Sequence, residues 1–156
     1  MALWRLYYHL VWGTKKRQPL INPDRETVLY DYIIGKADAL ASIVHAINGI
    51  EDHIHLVVSI PPALSIAKRC CEAQIADFVK NIKGSSAYHL NQDLSASKDK
   101  FAWQEGYGVF SLGSKQLEQA VTYVQNQKLH HLNGTTLASL EAYNHQDDRP
   151  SRWHPS

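Results

Sequence analysis

The chain has 156 residues, 44% of them hydrophobic and 20% charged, with a formal net charge of +1. That length fits one compact domain able to bury a core without external staples, and the composition excludes a disordered chain. With no basic excess, the protein cannot coat nucleic acid indiscriminately, so any nucleic-acid site must be a local patch.

Cys70 and Cys71 are adjacent and lack zinc-finger spacing, so they read as unbridged thiols of a cytosolic protein. No apolar run approaches the roughly 20 residues of a membrane span. Met1 to Trp12 lacks the pattern of a cleavable signal, and a cytoplasmic location without membrane association is expected.

Leu3 to Trp12 predicts a strand with Trp4, Leu6, Tyr8, Leu10 and Trp12 on an apolar face and Arg5, Tyr7 and His9 on the other. A basic loop follows, holding Lys15, Lys16 and Arg17. Asn22-Pro23, with Asp24 and Glu26 in the first turn, predicts a helix to about Leu40 that buries Val28, Leu29, Tyr32, Ile33 and Leu40. Ser42–Gly49 and His53–Ile60 predict an antiparallel hairpin turning at Glu51 and Asp52. A second helix is expected from about Ser65 to Lys83, ended by Gly84. Ser85 to Lys100 is polar and aperiodic, a loop or short helix extension. Phe101–Trp103 and Tyr107–Leu112 predict short strands, and Ser114 predicts the cap of a last helix to about His131, closed by Asn133 and Gly134. The order β-α-β-β-α-β-α predicts an α+β sandwich of ferredoxin-like type, an antiparallel sheet with helices packed mainly on one face. The other face would stay open to a ligand or partner subunit.

His53 and His55 are two apart on a predicted strand, so both imidazoles leave the same face while Ile54 and Leu56 enter the core. Two nitrogens can then converge on one metal ion; a solvent-facing polar pair is the other reading. Tyr123 and Gln127 lie four apart on the predicted last helix and share a face. If that helix crosses the histidine face, Gln127 supplies a third ligand oxygen and Tyr123 a hydroxyl beside the metal. Otherwise Tyr123 is packing and Gln127 is solvated.

Asp52-His53-Ile54-His55-Leu56-Val57-Val58 and Tyr123-Val124-Gln125-Asn126-Gln127 together resemble the single-tyrosine HUH transposases of small bacterial insertion sequences, and their relatives associated with repetitive extragenic palindromes. HUH denotes two histidines flanking a hydrophobic residue. His9-Leu10-Val11-Trp12-Gly13-Thr14-Lys15, Lys83-Gly84-Ser85-Ser86 and Trp103-Gln104-Glu105-Gly106-Tyr107 extend the resemblance, which covers most of Trp4 to His131. It stops there, giving a transposase domain over residues 1–134 and a separate tail over 135–156.

The resemblance implies a metal-dependent DNA strand transferase. His53, His55 and Gln127 would hold Mg²⁺ or Mn²⁺, and Tyr123 would form a covalent 5′-phosphotyrosine intermediate on single-stranded DNA with hairpin ends. A homodimer is implied, with active sites completed in trans and Tyr123 far from His53 within one chain. Lys15, Lys16, Arg17, Lys68, Arg69, Lys80 and Lys83 are the candidate DNA-binding cations. The alternative is a non-catalytic hairpin-binding protein derived from such a transposase. A histidine-triad hydrolase fits less well, because Val57 stands where that chemistry needs a third histidine, and a cupin would want more short strands.

Overall fold

The computed structural model describes residues 6–62, 71–92 and 99–141. Four antiparallel strands, β1 (Tyr7–Gly13), β2 (Ile43–Ile50), β3 (His53–Ser59) and β4 (Gly108–Leu112), form one sheet in the order β2-β3-β1-β4. With helices α1 (Pro23–Ala39) and α2 (Cys71–Gln92) as the crossovers, this is the expected ferredoxin-like α+β sandwich. Strand alternation sets the two faces. Tyr8, Leu10 and Trp12 of β1 and Ile54, Leu56 and Val58 of β3 join Leu29, Ile33, Phe78, Val79 and Ile82 in the main core.

Helix α1 starts as its sequence dictates: the Asn22 side chain accepts from the Arg25 N–H at 2.8 Å, and Pro23 opens the first turn. Its buried stripe is Leu29, Ile33 and Ala37, spaced by four, which leaves Val28, expected in the core, 46% exposed.

Helix α2 corrects an expectation, because it runs through Gly84 to Gln92. A glycine ends a helix only where the chain needs another conformation, and none is needed here. The Ser85 and Ser86 hydroxyls bond back to the carbonyls of Asn81 and Lys83. Leu90 continues the buried face, and Trp103 Nε1 donates to the Ser86 hydroxyl at 3.0 Å. Residues before Leu6 and the expected helix start at Ser65, with Lys68, Arg69 and Cys70, lie outside the described residues.

The last helix divides into α3 (Ser114–Gln125) and α4 (Gln127–Asn133) at Asn126. Gly113 rather than Ser114 is the cap: its N–H donates to Gln116 Oε1, and its carbonyl accepts from the Gln116 N–H, both at 2.9 Å. Gly134, at φ 65°, closes α4 in the left-handed conformation as expected. Helix α3 packs Ala120 and Val124 on Ala46 and Val57, so it covers the sheet face expected to be open. Beyond it, a short helix α5 (Ala138–Glu141) folds back toward the same face. Among the described residues no helix is long and apolar enough to cross a membrane.

Candidate active site

His53 and His55 are fully buried on the face of β3 that looks toward α3. Each has its Nδ1 engaged by a different neighbour. Asp52 Oδ1 lies 2.6 Å from His53 Nδ1, and His9 Nε2, on the adjacent strand β1, lies 2.8 Å from His55 Nδ1. A carboxylate can only accept, so His53 Nδ1 carries the proton. Ring orientations fixed in this way are those of metal-ligating histidines, whose second nitrogen is anchored behind them.

The two Nε2 atoms then meet one oxygen. Glu141 Oε2 lies 3.0 Å from His53 Nε2 and 3.1 Å from His55 Nε2, with His131 Nε2 at 3.5 Å. The other oxygen, Oε1, accepts a 2.6 Å hydrogen bond from the Tyr123 hydroxyl, which itself accepts from the Leu137 N–H at 3.0 Å. The Tyr123 ring stacks on His130 with centroids 4.7 Å apart. It borders a surface cleft of about 530 Å³ lined also by Lys115, Glu118, Gln119 and Thr122.

Gln127 is fully buried. Its amide nitrogen reaches the Tyr123 carbonyl at 3.5 Å, and its Oε1 has no partner among the described residues. Two anchors hold this end of the helix pair against β2: Asn48 Nδ2 donates to the Gln125 carbonyl, and Lys128 Nζ donates to Asn48 Oδ1 and the Gly49 carbonyl.

Electrostatics follow from burial and from Glu141. Burial opposes charge on His53, but the bonds to Asp52 and Glu141 outweigh it and raise its pKa. Burial dominates at His55 and lowers it. His9 is held down to about 3 by burial, then by its neighbour His55. Burial would raise Glu141, yet its bonds to His53 and His55 hold it far below the usual carboxylate range. Burial and then the Glu141 bond push the Tyr123 phenol up. A carboxylate so stabilised is a poor acceptor for a phenol proton so retained; Glu141 orients the hydroxyl.

This donor set fits a divalent cation. The donors that lie within 4.8 Å of one another are His53, His131 and Glu141, a group that brings in His131 and leaves out His55, while Gln127 Oε1 is buried with no hydrogen-bond partner among the described residues. Mixed imidazole and oxygen donors suit ions of the Mg²⁺ and Mn²⁺ kind.

Tyr123, His53 and His55 come together within one chain around Glu141, whereas Gln127 is placed only against the Tyr123 backbone carbonyl. The expectation that Tyr123 lies far from His53 in a single chain is corrected, because α3 crosses the histidine face directly above β3. Lys15, Lys16 and Arg17 are exposed on a 3-10 turn, Lys16 and Arg17 at positive φ, and Arg17 Nε reaches Asp52 Oδ2 at 3.4 Å. Lys80 is exposed on α2, in the layer across the sheet from the histidines. Lys83, lowered to about 8 by burial, donates its Nζ to the carbonyls of Gln104 and Gly106. His9, Asp52, His131 and Glu141 carry no assignment from sequence. Asp52 and His9 had a local signal, one preceding His53 and the other lying on the polar face of the first predicted strand; Glu141 had none.

The fold has relatives. The chain belongs to the IS200-like transposase family, which matches residues 2–127. It is 26% identical to the ISDra2 transposase TnpA of Deinococcus radiodurans over 129 residues, 80% of this chain and 86% of that one. A crystal structure from Deinococcus radiodurans R1, described as a candidate transposase, superposes with a TM-score of 0.60 at 25% identity, covering 81% of this chain and 93% of that one. The fold is shared also with a REP-associated tyrosine transposase bound to a REP hairpin, at a TM-score of 0.53 and 13% identity over 84% and 74% of the two chains.

Proposed function

We propose that this transposase cleaves and rejoins single-stranded DNA through a covalent 5′-phosphotyrosine at Tyr123, with a divalent metal held by His53, His55 and Gln127. One observation carries the reading: the Tyr123 hydroxyl and the Nε2 atoms of both histidines touch the two oxygens of a single carboxylate. A nucleophile and a cluster of metal donors that share one side chain are close enough to act on one phosphodiester.

A divalent cation, when bound, supplies charge neutralisation of the phosphate and a fixed orientation for it. The chain's own groups do the rest. Asp52 and His9 hold the two imidazoles with Nε2 forward. His130 stacks on the phenol and Leu137 N–H fixes its oxygen, so the hydroxyl keeps one direction. The cleft bordering Tyr123 offers room for an extended strand beside the tyrosine. During attack the phenol must lose its proton. The phenolic oxygen bonds to phosphorus as the P–O3′ bond breaks and the 3′-oxygen leaves as a hydroxyl; the ester conserves the free energy of the broken bond, so a second 3′-hydroxyl can attack it, expel the phenol and reseal the strand.

Exposed Lys15, Lys16 and Arg17 beside Asp52 favour a DNA backbone running past the histidines, whereas Lys80 and Lys83 lie on the opposite layer and would contact a more distant part of a folded hairpin. Lys68 and Arg69 stay in the proposed DNA-binding set on sequence grounds. The solved relative that holds a REP hairpin makes hairpin DNA the first substrate to try. A homodimer is compatible with this site, but the joining of Tyr123 to the histidines through Glu141 favours a site that works within one chain. The test is a denaturing gel of the protein with Mg²⁺ or Mn²⁺ and labelled single-stranded hairpin DNA. A covalent adduct that Tyr123→Phe abolishes supports the reading; an undiminished adduct overturns it. If neither protein forms an adduct but both bind the hairpin, the non-catalytic alternative is correct.

A further inference from the structure

The carboxylate of Glu141 lies beyond the end of the family match at residue 127, in a segment whose sequence carries no motif. It is nonetheless the group on which the whole site converges. We infer that Glu141 is a fourth protein ligand of the metal, so that residues 135–141 form part of the metal centre and close over it.

This deepens the proposed function and rests on it. Two donors in adjacent positions on an octahedral ion with bonds of about 2.1 Å stand about 3.0 Å apart. Glu141 Oε2 is 3.0 and 3.1 Å from the two histidine nitrogens, the separation of neighbouring ligands around such an ion. Both rings are anchored from behind by Asp52 and His9, so their Nε2 atoms keep facing one spot, and a short shift of Glu141 Oε2 away from that spot lets a cation take it with the oxygen as its neighbour. The anionic oxygen complements a set that would otherwise be neutral, two imidazoles and an amide, and hard divalent ions favour carboxylate over amide donors. Glu141 Oε1 meanwhile remains free to hold the Tyr123 hydroxyl, so one side chain binds the cation and aims the nucleophile. The Leu137 N–H on the same phenol oxygen fastens the segment from its other end.

Titration of the purified full chain with Mn²⁺, followed by electron paramagnetic resonance and calorimetry, tests this without DNA. Wild type is expected to bind one Mn²⁺, and His53→Ala with His55→Ala to abolish binding. Glu141→Gln, which keeps shape and removes charge, is expected to weaken binding at least tenfold, and Glu141→Asp to weaken it less. Hydrogen exchange over residues 135–141 should slow on Mn²⁺ addition in wild type and not in Glu141→Gln. Equal or tighter Mn²⁺ binding by Glu141→Gln would overturn the inference while leaving the histidine site intact; tighter binding would mean that Glu141 competes with the metal. Failure of wild type to bind Mn²⁺ would instead overturn the metal-dependent reading and this inference with it.

Discussion

The Tyr123 hydroxyl donates a 2.6 Å hydrogen bond to Glu141, and Glu141 in turn touches the Nε2 atoms of His53 and His55. Side chains from β3, α3 and α5 thus meet at one carboxylate. The consequences for assembly, stability and metal affinity are separable.

A site assembled within one chain should not be rescued by exchange between chains. Mixing Tyr123→Phe protein with His53→Ala protein is expected to leave adduct formation at the background of either variant. Recovery of a substantial fraction of wild-type adduct in the mixture would show that the tyrosine helix serves a partner's histidines.

Asp52 is expected to set metal affinity through His53, whose Nδ1 it holds at 2.6 Å. Asp52→Asn should weaken Mn²⁺ binding by about 10–100-fold, the usual effect of removing an outer-shell partner. Calorimetry at constant pH measures this; an unchanged dissociation constant would remove Asp52 from the account.

His9 predicts a pH dependence. Burial holds its folded pKa at about 3 against 6.5 in the unfolded chain. Between those values the unfolded state binds a proton that the folded state does not, so stability falls as pH drops through the window. In the presence of a chelator, this one group should cost about 3 kcal/mol between pH 6.5 and pH 4. His9→Gln can keep a hydrogen bond to His55 and should flatten that part of the curve, as measured by urea unfolding. Parallel curves for the two proteins would contradict it.

Gly49 stands where β2 passes the backbone of β3. A Cβ there would lie 2.2 Å from the His53 carbonyl oxygen and 2.8 Å from the Ile54 Cα, neither of which can swing away. Gly49→Ala should therefore destabilise the fold by about 3 kcal/mol and displace His53, lowering Mn²⁺ affinity as well as Tm. An unaltered Tm would show that the strand end yields more easily than its contacts suggest.

Much of this arrangement was legible in the sequence because local rules governed it. Asn22-Pro23 capped α1, alternation turned Ile54 and Leu56 into the main core and the two histidines to the opposite face, and Tyr123 came to that face beside His55. The failures have physical causes too. Gly84 looked like a helix end, but nothing required the chain to leave the helix there, and packing of Leu90 and Ser86 carried it on. Glu141 was invisible because its partners are 86 to 88 residues away in sequence at the histidines, and a polar segment without periodicity gives no sign of a distant contact. The open sheet face was misjudged for a related reason: α3 covers it with few apolar residues, Ala120 and Val124 on Ala46 and Val57.

The most direct test of the central claim is to map the nucleotide on the protein. Wild type is incubated with single-stranded hairpin DNA and Mn²⁺, denatured, digested, and examined by tandem mass spectrometry. The account predicts a 5′-phosphonucleotide ester on the Tyr123 phenolic oxygen, absent when EDTA replaces Mn²⁺. An ester on a different residue, or one formed equally in EDTA, would contradict it.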